Sequence, residues 1–199
     1  MNDYGHLDDD RLTMDKKVTC KSKIDFINEV ADDCVRNLSE KEKEHLIANP
    51  RAIDYHFSYG MYIRNNYIHG RDFSEVSFWV EPDDLSYEII RMIISRLLPE
   101  YDYDNAFIEK LYDTEKFLQL RKEYKAVYGE YPVFLVEKYK TQVQIEPIPS
   151  QTRVRFGAKP DKDKRMEIME RNRAVIFAAI DVLVHELEEL VKQADTHDD

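Results

Sequence analysis

The chain has 199 residues, 43% of them hydrophobic and 35% charged, with a formal net charge of −11. The length fits one domain or a domain with appendages, and the apolar fraction is enough to bury a core. Phosphate binding needs a clustered positive surface, so the charge argues against a general nucleic-acid binder and suits a basic protein partner.

Glycine is scarce, at 5 residues, and aromatics reach 12%, which favours long helices over a many-turned β-sandwich. The two cysteines, Cys20 and Cys34, form neither a CxxC pair nor a zinc pattern. Reduced thiols in a cytoplasmic protein are the simplest reading. No apolar run approaches the roughly 20 residues of a membrane span. The stretch MNDYGHLDDDRL lacks a basic region followed by an apolar one, so no signal peptide and no membrane contact are expected.

Residues 1 to about 20 are polar, carry Asp8-Asp9-Asp10, and read as a flexible acidic arm. Residues 21–199 read as one helical domain. Ile27, Val30, Cys34, Val35 and Leu38 recur at helical spacing and predict a first helix from about Ser22 to Leu38. Ser39 and Glu42 form a capping-box pair that starts a second helix, ended by Asn49-Pro50. Pro50 opens a third, predicted to run to about Ile68, with Gly70 as its stop. After a loop, Pro82-Asp83-Asp84 starts a fourth, with Leu85, Ile89, Met92, Ile93 and Leu97 on one side and Pro99 beyond. Asp104 and Thr114 are expected caps of two further helices, the second ending near Gly129.

The pattern then changes. Val133–Val136 is a short apolar run. Val143 and Ile145, then Val154 and Phe156, alternate with polar residues around EPIPSQ. This predicts a small β-hairpin near residues 141–157. From Asp161 to about Gln193 nothing breaks a helix. Met166, Met169, Ile176, Ile180, Leu183, Leu187 and Leu190 fall at three- and four-residue steps, with Arg173 interrupting. Such a seam predicts a coiled-coil contact. It is read as a homodimer through the C-terminal helix, the alternative being packing on the chain's own helices.

The stretch RNNYIHG, residues 64–70, carries the chemistry worth weighing. At 100° per residue, Ile53 and Phe57 lie within about 20° of Arg64, and Gly60 and Ile68 within about 40°. Arg64 therefore projects from the apolar face, where a guanidinium must be paired or must line a cleft. Asp83, Asp84 or a backbone carbonyl at a helix end are the expected partners. Asn65 and His69 lie one turn apart. RNA cleavage by the 2′-hydroxyl needs a base near neutral pH and a cation on the phosphate, which His69 and Arg64 could supply, with Asn65 orienting one of them.

The Arg-Asn-x-x-x-His spacing resembles the HEPN ribonuclease superfamily. That resemblance implies a helical, dimeric, metal-independent ribonuclease of toxin–antitoxin or antiphage systems, with catalytic roles for Arg64 and His69, a supporting role for Asn65, and RNA as substrate. The wider stretch HFSYGMYIRNNY, followed by EPDDLS, resembles an uncharacterised family of bacterial proteins with an aromatic-Gly-Met-aromatic-Ile-Arg-Asn helix and a Pro-Asp-Asp-x-Ser helix start. This second resemblance spans about residues 55–98 and implies a structural Arg64.

His56 is expected to be a satisfied core histidine. His69, Asp72 and Glu75 have no recognised metal-ligand spacing. Trp79, with Phe78 and Val80, is expected to cap the core. Residues 140–165 are locally basic through Lys140, Arg153, Arg155, Lys159, Lys162, Lys164 and Arg165. No phosphate-binding loop or nucleophile elbow occurs, and neither cofactor nor metal is expected. The sequence thus predicts a mainly α-helical, acidic interaction protein of accessory or immunity type, the alternative being the ribonuclease.

Overall fold

The computed structural model describes residues 17–20, 22–148 and 162–195. It is mainly helical, with eight α-helices among the described residues and a long C-terminal one. The chain clusters into two compact units. The first comprises residues 1–37 and 52–93, the second 38–51 and 94–199.

In the first unit, α1 spans Lys23–Asn37. Ser22 accepts the Asp25 amide through its hydroxyl at 3.2 Å and so satisfies one orphan donor of the first turn. The helix buries Phe26, Ile27, Val30, Ala31 and Cys34; Ile27, Val30 and Cys34 belong to the expected stripe, whereas Val35 is only half-buried. Ahead of it, the Val18 amide donates to the Asp72 carbonyl at 2.9 Å, and Lys17 pairs with Glu75 at 2.6 Å.

The predicted continuous helix over residues 50–68 is a broken one. A 3-10 turn covers Ala52–Tyr55, α3 spans only Tyr59–Ile63, and a π-helical turn covers Arg64–Ile68. The break has a local cause. The His56 carbonyl accepts from the Arg64 guanidinium at 3.2 Å, and Ser58 caps back to the Tyr55 carbonyl. Gly60 permits this fold-back, because a Cβ there would stand 3.3 Å from both the Tyr55 carbonyl and Arg64. The break turns Ile53 and Phe57 outward, to 49% and 83% exposed, where an unbroken helix would bury them beside Arg64. At the far end the His69 amide donates to the Arg64 carbonyl at 2.7 Å, the wide turn of a π-helix. Gly70, at φ 75°, then redirects the chain.

Helix α4 runs from Pro82 to Leu97 and crosses from the first unit into the second. Pro82 fits a first helical position, and Asp83 and Asp84 suit the positive end of the helix dipole.

In the second unit, α2 (Glu40–Ala48) has the predicted reciprocal capping box between Ser39 and Glu42. Asn105, one residue beyond the expected Asp104, caps α5 (Ala106–Tyr112) by accepting two amides. Thr114 sits at the start of α6 (Glu115–Tyr128), but its hydroxyl donates back to the Lys110 carbonyl instead of capping. Gly129, at φ 80°, ends that helix in the left-handed conformation.

No strand occurs among the described residues of the predicted hairpin. Val133–Val136 opens α7 (Val133–Gln142), and residues 143–148 are irregular. A four-residue apolar run does not distinguish a strand from a helix face, and here Leu135, Val136 and Tyr139 form a buried helical stripe. Val154 and Phe156 lie outside the described residues.

Helix α8 spans Lys162–Asp195. Its buried line is Ile168, Asn172, Ile176, Ile180, Leu183, Leu187 and Val191. The C-terminal part matches the predicted seam, but Met166 and Met169 are exposed, and Asn172 takes the inward place assigned to Arg173. Asn172 holds both backbone groups of Glu146: its Oδ1 accepts the amide at 2.9 Å and its Nδ2 donates to the carbonyl at 2.8 Å. The stripe turns toward that segment in its first half and toward α5, α6 and α7 in its second.

A buried ion pair lies in this unit. Arg121 and Glu100 are 1% and 3% exposed and stand 3.6 Å apart. Arg121 also donates to the Ile47 carbonyl at 2.8 Å and stacks 3.5 Å over the Tyr131 ring, while Tyr112 donates to Glu100 at 3.2 Å.

Candidate functional site

The stretch 64–69 splits into an inward and an outward set. Arg64, with its side chain 11% exposed, donates to the Ser86 hydroxyl at 2.9 Å and to the His56 carbonyl at 3.2 Å. Its ion pair with Asp83 is 3.3 Å long. The partners are the two kinds that its place on the helix predicts, a carboxylate at the start of α4 and a carbonyl at a helix break. Ser86, fully buried, donates its own hydroxyl hydrogen bond to the Asp83 carbonyl at 2.9 Å. The guanidinium therefore ties the turn at His56 to the first turn of α4, close beside Gly60.

Asn65 and His69 are exposed. No hydrogen bond or ion pair joins the side chains of Arg64, Asn65 and His69 to one another among the described residues. The π-turn explains the separation. One extra residue per turn shifts His69 off the α-helical i, i+4 alignment with Asn65. His69 itself has already left the helix, at ψ 137°.

Beneath the same turn lies a second polar group. The Tyr67 hydroxyl donates to Asp33 at 2.6 Å, and Arg36 donates to the other oxygen of that carboxylate at 2.9 Å. Burial, together with Cys34 and the Asp33 carboxylate, raises the Tyr67 pKa far above the phenol range, so it acts as a neutral donor. This ties the π-helical turn and α1 together without a reactive group. Cys20 is equally quiet: burial and the nearby Glu29 push its thiol up to about 12, so it carries no thiolate near neutral pH.

His56 is half-buried against the edge of Phe57, with ring centroids 4.6 Å apart. Among the described residues, no group of three His, Cys, Asp or Glu side chains could hold a metal ion. Asp72 accepts from Ser74, which lowers its pKa, and Glu75 is bonded to Lys17. No helix among the described residues is long and apolar enough to cross a membrane. Of the basic stretch 140–165, Arg153, Arg155 and Lys159 lie outside the described residues, and Lys140 pairs with Glu137 at 2.6 Å.

Trp79 departs from its expected place. It is 84% exposed and does not cap the core. Its neighbour Phe78 does that work, half-buried with its ring 6.5 Å from those of Phe26 and Phe73. The apolar pattern Phe78-Trp79-Val80 could not show which of the three turns outward.

No protein-family model, curated protein or solved structure matches this chain.

Proposed function

We propose that this chain is a non-enzymatic interaction protein, a small acidic bacterial accessory or immunity-type factor of the uncharacterised family whose Gly-Met-aromatic-Ile-Arg-Asn helix it resembles. It acts through protein contacts in the cytoplasm, with a basic partner. The observation that carries this reading is the occupied fork of Arg64, which serves the fold through Ser86, His56 and Asp83. A phosphate-stabilising arginine needs open donors facing a cleft.

A homodimer through α8 belongs to the same proposal. Its inward seam is covered within the chain, with Leu183 and Leu187 fully buried. That is the packing on the chain's own helices that stood as the alternative to a dimer through the seam, so a dimer contact would have to use the outward face, where Ala174, Val175, Ala178 and Val182 are exposed.

One observation favours the ribonuclease as a second reading: the side chains of Asn65 and His69 stand exposed with no bonded partner among the described residues. Incubating the protein with labelled RNA and no metal, beside His69→Ala, separates the two. Intact RNA with both proteins is the expected result. Cleavage by the wild type that His69→Ala abolishes overturns the interaction reading.

A further inference from the structure

We infer that Trp79 anchors a docking surface for a lysine- or arginine-rich segment of a protein partner. The inference rests on the interaction reading above and supplies its contact surface.

An indole left 84% exposed forgoes one of the largest burial gains a side chain can make. Phe26 and Phe73 pack edge to face at 5.4 Å with Phe78 beside them, and Lys17 and Val18 bond to Glu75 and Asp72. Burial alternates over Phe78, Trp79, Val80 and Glu81, as on extended backbone, so the same anchoring that draws Phe78 in turns Trp79 out. An exposed tryptophan on a fixed support is the residue type that dominates protein contacts.

The charge around it selects the occupant. From Ser74 to Asp84 the chain carries Glu75, Glu81, Asp83 and Asp84 and no lysine or arginine. Glu75 is engaged by Lys17 and Asp83 by Arg64. Glu81 and Asp84 are exposed, and their carboxylates make no hydrogen bond or ion pair among the described residues. A cationic side chain fits both halves of this surface. Its aliphatic stem covers the indole, its charge sits over the ring face, and the two open carboxylates accept its donors. Phosphate groups of nucleic acid or lipid meet repulsion from the same carboxylates. Phe57, 83% exposed, follows the His56 carbonyl that Arg64 links to Asp83. It offers a further apolar contact in the same unit.

Trp79 is the chain's single tryptophan, so its emission reports on this surface alone. The probe is a short peptide of alternating lysine and arginine, fluorescein-labelled for polarisation and unlabelled for Trp79 emission. Saturable binding with a shift of Trp79 emission is expected, weakening as salt rises. Trp79→Ala and the pair Glu81→Gln with Asp84→Asn should each weaken polarisation binding about tenfold. All three sites are exposed, and unchanged circular dichroism verifies the fold. Binding that leaves Trp79 emission and both variants unaffected overturns this surface and leaves the basic-partner reading standing. Absence of any peptide binding at millimolar concentration overturns both. Tighter binding of a single-stranded RNA oligonucleotide than of the peptide, with Trp79 quenched, overturns the cationic occupant.

Discussion

Replacing Arg64 by alanine tests whether its guanidinium serves the fold. Two of its bonds go to neutral acceptors in a site 11% exposed: the Ser86 hydroxyl and the His56 carbonyl. Hydrogen bonds from a charged donor contribute about 1.5–3 kcal/mol each, and the lower end applies because the site keeps a solvent edge. Asp83 is 62% exposed, so its ion pair adds less than about 1 kcal/mol. The removed stem also leaves space beside Gly60, where Ile90 approaches. The sum is a loss of about 3–4 kcal/mol, and at 2–4 °C per kcal/mol for a chain this size the melting temperature falls by roughly 6–16 °C. Arg64→Lys keeps the charge but not the fork, and should lose about half as much. His69→Ala, on an exposed residue, should cost under about 0.5 kcal/mol. Urea and thermal melts followed by far-ultraviolet circular dichroism measure all three. Equal and small losses for Arg64→Ala and His69→Ala would refute a structural arginine.

Arg121→Met should cost about 3–5 kcal/mol in urea denaturation, because it strands a buried Glu100; adding Glu100→Gln should recover more than half of that loss. Leu183→Glu should abolish cooperative unfolding of the second unit, since Leu183 is fully buried, whereas Val182→Glu, at a position 55% exposed, should change stability by under about 0.5 kcal/mol. Light scattering on the same Val182→Glu protein should return the monomer mass of 23.7 kDa against twice that for the wild type. Lys138 and Tyr139 bond to Glu186 and hold its carboxyl below the usual 4.5. A lowered folded value means the contribution is complete above the ordinary carboxylate pKa and disappears as pH falls through the lowered one. Glu186→Gln should therefore destabilise at pH 7, and the difference should shrink as pH is lowered below 4.5, as read by paired denaturation curves.

Local chemistry was legible wherever one or two neighbouring residues decide the outcome. The Ser39–Glu42 box, Pro82 at a helix start, and the left-handed glycines at positions 70 and 129 act within a turn, and each element edge falls where those residues put it. The broken helix at 56–58 was not legible, because its cause is a bond from Arg64 back across eight residues. Two of the partners of Arg64 could still be named, since a guanidinium only donates and must find acceptors; the third, the Ser86 hydroxyl, was not among those proposed. Arg121 and Glu100 passed unnoticed for the same reason: they lie 21 positions apart, and only tertiary packing brings them within 3.6 Å. The alternation at Val143 and Ile145 misled, since Ile145 is 44% exposed like its neighbours and two alternating apolar residues do not supply a strand with a partner.

The grip of Asn172 on Glu146 has a kinetic consequence. A side-chain amide here takes both backbone groups of one residue, as a neighbouring strand would. Its reach is a single residue, so residues 144–148 carry one rung and no ladder. Deuterium uptake along this segment should therefore be uneven: the Glu146 amide should exchange slowly while its neighbours exchange fast. Asn172→Ala should erase that isolated point of protection and release the segment from α8 as one piece.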